Sequence, residues 1–260
     1  MFHDQDHSAS PSSHDRQGTL RSPGRVGIGV VHYQPIVELS SWRRIGAEAI
    51  ERNSHGSDLR LEHARDDIIL RLACVEAVAW EHGVVAVNIS AMQLHGGRML
   101  EQVGAALEHS GLAPERLELE LSETILTETD LDTLLTLSVV RDLGVGLVLD
   151  DFGTGLASLR MLKRLPLTGL KLDVSLLREI PDNAEDTVIA RAVIAAAHAL
   201  GLGVSAAGIE HESQRLALAG FGCDAGQGPL FTDTPRPIAA LRALPRGVDR
   251  AGERRTGYYR

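Results

Sequence analysis

The chain has 260 residues, 43% hydrophobic and 23% charged, a composition that supports one sizeable hydrophobic core. Its formal net charge of −9 argues against binding of a nucleic acid polymer, because proteins that bind such polymers usually present a basic face. Cys74 and Cys223 are too few for a disulfide framework, and no stretch approaches 18 consecutive apolar residues, so we expect a soluble, cytoplasmic protein without membrane insertion.

Both ends of the chain have compositions typical of flexible segments. Residues 1–25 are rich in Ser, His, Asp, Pro and Gly, with too few apolar side chains to offset the entropy cost of ordering them. Residues 246–260 are rich in Gly and Arg and predict a basic flexible tail. The folded domain is therefore expected between residues 26 and 245.

Between the tails, short apolar runs alternate with amphipathic stretches. The predicted strands are 30–37, 84–90, 117–121, 145–150, 168–173, 202–207 and 223–228, and the predicted helices are 60–82, 97–111, 128–142, 156–165, 184–200 and 211–220. Helical periodicity is clearest in two sets of residues, Met99, Leu100, Val103 and Leu107, and Leu131, Leu134, Leu135 and Val139. Repeated strand and helix alternation favours an α/β fold with parallel pairing. A closed (β/α)₈ barrel suits the length, and a doubly wound open sheet is the alternative.

Polar side chains fall at or near the ends of successive predicted strands. In a (β/α)₈ barrel these strand ends meet on the face that carries active sites. Any one of the residues could be a helix cap or a turn residue, but capping does not call for Glu and Lys at successive strand ends. The residues concerned are Asn88, Glu120, Asp150, Asp151, Lys171 and Gln227.

The pair Asp150 and Asp151 is the most informative part of this pattern. Adjacent strand residues face opposite sides, so both can reach one site only where the strand is ending. With Glu120 nearby, the carboxylates would repel one another unless a cation lay among them. Oxygen ligands of this kind suit Mg²⁺ or Mn²⁺, and bridging carboxylates suit a two-metal phosphodiester site.

These residues lie within motifs that resemble the EAL domains, which hydrolyse cyclic di-GMP. The resemblance runs from residue 33 to about Leu244. In order, the motifs are YQPIV, GAEAIER, VNIS, LELELSET, DDFGTG, LPLTGLKLD, LGLGVSAAGIE and GCDAGQGPLF. DDFGTG in this setting is highly specific, whereas EAI alone would be weak.

The resemblance implies a TIM-like barrel with an antiparallel first strand and a role for each matching residue. It implies two cations that activate water for attack on one phosphodiester, which opens the ring to linear pGpG. Lys171 would lie beside the attacking water, and Glu123 would hold the DDFGTG loop. Gln34 and Arg52 would contact the dinucleotide, with Gln227 organising the site. The implied metal ligands are Glu48, Asn88, Glu120, Asp150 and Asp151.

Two departures from the family pattern bear on activity. Ala207 stands where the family has a metal-binding Glu in the motif AEGVE, and Glu210 lies three residues further on, too far to replace it. The segment 53–71 is shorter than the corresponding family segment, which borders the ligand groove. We therefore expect reduced activity and a doubtful second metal site.

Three hypotheses for the function stay open at this point. The first is a slow cyclic di-GMP phosphodiesterase. The second is a receptor that binds cyclic di-GMP without hydrolysing it, and the third is a protein-interaction module without ligand. The retained carboxylates and Lys171 favour the first two hypotheses, and Ala207 favours the receptor over the enzyme. The sequence leaves open a homodimer and a protein partner and identifies neither.

Overall fold

The computed structural model describes residues 30–52, 59–90, 93–94, 97–123, 130–154 and 162–231. The predicted tails, and all of the predicted helix 156–165 except its last few residues, lie outside these ranges. Within them, no helix is both long and apolar enough to cross a lipid bilayer.

Eight strands close into a barrel in chain order. The first strand, β1, pairs antiparallel with both β2 and β8, whereas the other neighbouring strands pair in parallel. The closed barrel and the antiparallel first strand are thus confirmed, and the doubly wound open sheet is wrong. The strands are β1 (Val30–Glu38), β2 (Arg44–Arg52), β3 (Val84–Ile89), β4 (Leu117–Ser122), β5 (Gly146–Phe152), β6 (Gly169–Leu172), β7 (Gly203–Ala206) and β8 (Ala225–Gly226).

Strand β2 was not among the strands predicted from apolar runs. Its sequence, RIGAEAIER, contains Gly, Ala and charged residues, which are depleted in strands and form no apolar run. It forms because β1 pairs with it along most of its length, from Val30↔Arg52 to Val37↔Arg44. Tertiary pairing therefore outweighs local propensity in the strand that carries Glu48.

Five α-helices lie entirely within the described residues, and their bounds agree with the predicted helices to within a few residues. They are α1 (Leu59–Val78), α2 (Met99–Ser110), α3 (Leu131–Asp142), α4 (Ala184–Ala199) and α5 (Glu212–Gly220). In α2, Met99, Val103 and Leu107 are buried, as their spacing predicts, whereas Leu100 of the same set is exposed.

Most of the residues whose spacing predicts α3 are not the ones that this helix buries, although Leu134 packs against the core. Leu131, Leu135 and Val139 are exposed, with 70%, 57% and 44% of their surface accessible. The helix instead buries Leu137 and Val140, which lie on a neighbouring stripe of the same 3.6-residue period. Because this helix carries two apolar stripes, periodicity identifies the helix but does not decide which stripe faces the barrel.

Most of the hydrophobic core lies between the barrel and the helices. Leucines on the outer face of β4 and β5, such as Leu119 and Leu149, are fully buried there. Inside the barrel, Ile36, Ala86 and Ala225 form a separate small cluster. Polar residues such as Asn88 and Glu120 lie nearer the carboxyl ends of the strands than this cluster does. Both cysteines are buried free thiols.

Arg116 joins the end of α1 to the barrel. Its guanidinium donates to the carbonyl oxygens of Ala77 at 2.8 Å and Gly83 at 2.9 Å, which lie at and beyond the C-terminus of α1. We expect Arg116→Ala to lower the free energy of unfolding by about 2 kcal/mol, because these carbonyls lose a charged donor. Urea denaturation measures the loss. The exposed Arg191 on α4 is the control, and Arg191→Ala should change stability by less than about 0.5 kcal/mol. Equal losses in both variants would contradict the assigned role.

Candidate active site

Lys171 lies at the centre of a cluster of carboxylates inside the upper end of the barrel. Its Nζ is 2.9 Å from Glu48 Oε2, 2.9 Å from both carboxylate oxygens of Glu120, and 3.4 Å from Asp150 Oδ2. Lys171 is 3% exposed and Glu120 is 2% exposed. Strands β2, β4, β5 and β6 thus bring together four residues that are distant in sequence.

Glu48 has additional hydrogen-bond donors. Asn88 Nδ2 donates to Glu48 Oε1 at 2.7 Å, and Gln227 Nε2 donates to Glu48 Oε2 at 3.0 Å. Gln227 follows β8 directly and is buried, whereas Asn88 is exposed at the open end of the barrel. Amide groups on both sides therefore fix the orientation of the Glu48 carboxylate.

The charges in this cluster are unevenly balanced. Burial favours the neutral form of Glu48, but attraction by Lys171 and hydrogen bonds from Lys171, Gln227 and Asn88 outweigh it, so its pKa is lowered. Burial raises the pKa of Glu120 well above its usual value, and repulsion from Glu48 and Asp150 acts in the same direction. Attraction by Lys171 and its hydrogen bond oppose this shift without cancelling it. Burial would lower the pKa of Lys171, yet the three carboxylates raise it well above normal. Three carboxyl groups thus share one ammonium group in this cluster.

A β-bulge brings Asp150 and Asp151 to the same site. The register between β5 and β6 moves from Leu149↔Leu170 to Phe152↔Leu172, so that β5 contains one extra residue here. Asp151 has a φ of 57°, which few non-glycine residues adopt. Its pKa is raised by burial and by repulsion from Asp150 and Asp173. The expectation that the strand ends at Asp150 is wrong, because β5 continues to Phe152, and the bulge places Asp151 close enough for the charges of Asp150, Lys171 and Glu48 to act on it.

The loop after β5 is held by contacts with its neighbours. Thr154 Oγ1 donates to Glu123 Oε2 at 2.6 Å, and Glu123 is 4% exposed. Gly153 has a φ of 114°, and a Cβ on it would lie 2.3 Å from Leu176 Cδ1. The loop therefore packs directly on the turn after β6, which only glycine permits.

The remaining predicted residues are Ala207, Gln34 and Arg52. Ala207 follows β7 and is half-buried, and its N–H donates to Leu172 O at 2.9 Å. Gln34 is half-buried on β1, opposite Glu48 on β2. Arg52 ends β2, and its side chain lies outside the described part of the structure, as do residues 53–58 of the shortened segment 53–71, whose remaining residues belong to α1.

Two acidic residues near the site were missed by sequence reasoning. Glu118 lies on β4 and is 5% exposed. Burial raises its pKa to about 7; attraction by Lys171 opposes this rise, and repulsion by Glu48 adds to it. Asp173 follows β6 and adds negative charge near Asp151. Both could have been found, because Glu118 and Glu120 share a strand face and Asp173 follows Lys171 by two residues.

The donor set has the chemistry that divalent cations prefer, namely carboxylate and amide oxygens in a buried, negatively charged place. Its arrangement differs from a complete metal site. In the described ranges, no group of three or more His, Cys, Asp or Glu side chains is positioned to hold a metal ion. Around Lys171, the carboxylates converge on the ammonium group instead.

Comparisons with known proteins agree with this architecture. Residues 25–234 match the model of the EAL domain family. The cyclic di-GMP phosphodiesterase NbdA of Pseudomonas aeruginosa is 40% identical over 81% of this chain and 29% of its own length. The bifunctional diguanylate cyclase/cyclic di-GMP phosphodiesterase MucR of the same organism is 34% identical over 83% of this chain and 34% of its own length. The chain thus spans about a third of these relatives.

Solved structures match over a larger share of their length. The PaMucR phosphodiesterase in complex with c-di-GMP has a TM-score of 0.74 and 32% identity, with 82% of this chain and 93% of that chain covered. A manganese and cyclic di-GMP complex of Klebsiella pneumoniae BlrP1 has a TM-score of 0.66 and 26% identity, with 80% of this chain and 55% of that chain covered.

Proposed function

The chain belongs to the EAL domain family, and we propose that it binds cyclic di-GMP at the Lys171 cluster and hydrolyses it slowly to linear pGpG. The observation that carries this proposal is the convergence of Glu48, Glu120 and Asp150 on one buried site, within 3.4 Å of Lys171 Nζ. A scaffold without ligand gains nothing from such a cluster, because buried carboxylates that repel one another cost stability.

Divalent cations are part of this proposal. Mg²⁺ or Mn²⁺, when bound, would polarise a phosphoryl oxygen and lower the pKa of a bound water. The residues that would hold them are Glu48, Asn88, Glu120, Asp150 and Asp151, as in the family pattern. The manganese and cyclic di-GMP complex of BlrP1 supports this assignment by similarity.

Residues of the chain itself supply orientation and charge. Asn88 and Gln227 fix the Glu48 carboxylate by hydrogen bonds of 2.7 Å and 3.0 Å. Lys171 places a positive charge where an anionic phosphodiester would approach the carboxylates. Glu123 holds the loop after β5 through Thr154, and with it the position of Asp151.

Recognition of the dinucleotide is assigned to Gln34 and Arg52. A guanidinium presents a planar fork that matches phosphate oxygens, and a lysine ammonium does not reproduce it. We expect Arg52→Ala to weaken cyclic di-GMP binding at least about tenfold, and Arg52→Lys to recover little of it. Isothermal titration of both variants measures the affinities. Unchanged affinity in Arg52→Ala would remove Arg52 from the ligand site.

The second candidate is a receptor that binds cyclic di-GMP without turnover. Ala207 favours it, because the family position for a metal-binding Glu carries no ligand atom in its side chain. Incubation of the purified protein with cyclic di-GMP and Mn²⁺, followed by chromatography of the nucleotides, separates the candidates. Slow appearance of pGpG supports the enzyme, and binding without product supports the receptor. Absence of both would leave a protein-interaction module, with a homodimer or another protein as its partner.

A further inference from the structure

We propose that the basic tail, residues 246–260, docks on the exposed side of α3 and covers the apolar side chains there. This inference is independent of the proposed function, because it concerns the outside of the barrel and not the Lys171 cluster. Helix α3 connects β4 to β5, the strands that carry Glu120 and Asp150. The docked tail would therefore lie on the connection between two strands of the candidate site.

Helix α3 carries a ridge of apolar side chains that faces away from the barrel, and we call this ridge the α3 face. It consists of positions four residues apart, Leu131, Leu135, Val139 and Leu143, with exposed fractions of 70%, 57%, 44% and 43%. The opposite side of the helix packs against the barrel through Leu137 and Val140. An isolated exposed apolar residue is ordinary on a protein surface, whereas a continuous apolar ridge is typical of an interaction site.

Exposed carboxylates surround the α3 face. They are Glu101 and Glu108 on the neighbouring helix α2 and Asp132 and Asp142 on α3 itself. Within the described ranges, none of the four forms an ion pair. The exposed arginines of this surface are fewer, namely Arg98 before α2 and Arg141 on α3. A basic occupant therefore fits this surface better than an acidic one.

The basic tail has the complementary composition. It contains two carboxylates, Asp249 and Glu253, and five arginines, Arg246, Arg250, Arg254, Arg255 and Arg260. It also contains the adjacent pair Tyr258 and Tyr259. Arginine stems and tyrosine rings bury apolar surface while their polar ends stay in water. The same residues can therefore cover the leucines of the α3 face and pair with the carboxylates around it.

The covalent connection favours the tail over a separate molecule. Residues 232–245 join Phe231 to the tail and extend to roughly 45 to 50 Å, and the tail adds a similar length. A folded domain of this size has a radius of gyration of about 16 Å, so the tail can reach α3 from any side. The connection also keeps the tail at an effective concentration on the order of a millimolar, at which weak contacts suffice.

Charge argues against a second copy of the chain as the occupant. In a symmetric dimer, the same surface patch of each chain faces that of the other. Pairing of two α3 faces would bring the carboxylates of one chain, Asp132 and Asp142 among them, against those of its partner. Like charges across an interface oppose association, so the tail is the better occupant.

A photoreactive side chain on the α3 face identifies what covers it. In the full chain, p-benzoylphenylalanine replaces Leu135, and mass spectrometry locates the peptide that is cross-linked on irradiation. We expect a cross-link from position 135 to residues 246–260 of the same chain. The control is the same replacement at Leu216, which is 58% exposed on α5 and should give no cross-link to the tail. A cross-link from position 135 to a second copy, or to no part of the tail, would overturn the proposal.

Charge reversal in the tail tests the role of its arginines. Arg254→Glu combined with Arg255→Glu should lower the yield of the cross-link from position 135 at least about threefold, because attraction to the carboxylates becomes repulsion. Arg178→Glu combined with Arg191→Glu changes the net charge of the protein equally at exposed positions outside the tail and should leave the yield unchanged. Equal yields in the two double variants would show that charge does not hold the tail on the α3 face and would overturn the proposal.

Discussion

Ala207→Glu should raise the rate of cyclic di-GMP hydrolysis at least about tenfold, because loss of even an outer partner at a metal site costs 10 to 100-fold. The new carboxylate would follow β7 on the face that Ser205 shares, beside Lys171. It would give Lys171 a carboxylate partner on the β7 side, and it would provide a ligand for a second cation. Both effects favour an acidic, well-positioned water.

The matched control for this prediction is Ala207→Gln. Gln has nearly the same size as Glu but no charge, so it should leave the rate near that of the wild type. The measurement is the initial rate of pGpG formation at saturating Mn²⁺. If the wild-type protein already hydrolyses cyclic di-GMP rapidly and Ala207→Glu does not change the rate, another group supplies the missing ligand. Restored binding without restored turnover would point to the shortened segment 53–71 as the larger defect.

Asp150→Asn should weaken Mn²⁺ binding by at least about 100-fold, since a directly coordinating carboxylate matters more than an outer partner. Asp150 lies on the bulge between Lys171 and Asp151, with Oδ2 at 3.4 Å from Nζ and Oδ1 accepting from the N–H of Asp151 at 2.8 Å. Asn preserves the shape of the side chain and removes its charge.

The exposed Asp142, at the end of α3, provides the control for Asp150. Asp142→Asn removes the same charge from the whole protein and should leave Mn²⁺ affinity within about twofold, because exposed charges are screened by solvent and salt. Titration calorimetry compares the two variants. Equal affinities in wild type and Asp150→Asn would remove the metal-site assignment altogether.

The barrel could be predicted from the sequence because the predicted strands and helices alternate and polar residues follow the predicted strands. Strand β2 could not, since Gly, Ala and charged residues form it and only pairing with β1 makes it a strand. The residues that α3 buries could not be predicted either, because the helix carries two apolar stripes and Leu137 and Val140 on one of them face the barrel.

The membership of the candidate site was predictable, whereas its internal pairing was not. Strand-end position and the EAL resemblance identify Glu48, Glu120, Asp150 and Lys171 as neighbours. Neither indicates that Nζ would contact all three carboxylates, because that depends on side-chain directions inside the barrel. The bulge that joins Asp150 and Asp151 is likewise a property of the register between β5 and β6.

Titration of the protein with cyclic di-GMP, in the presence and absence of Mg²⁺, tests the central claim most directly. The account predicts saturable binding of one cyclic di-GMP per chain, strengthened by Mg²⁺ and weakened by Asp150→Asn. No binding under either condition, with the protein folded, would contradict the assignment of the Lys171 cluster as a cyclic di-GMP site.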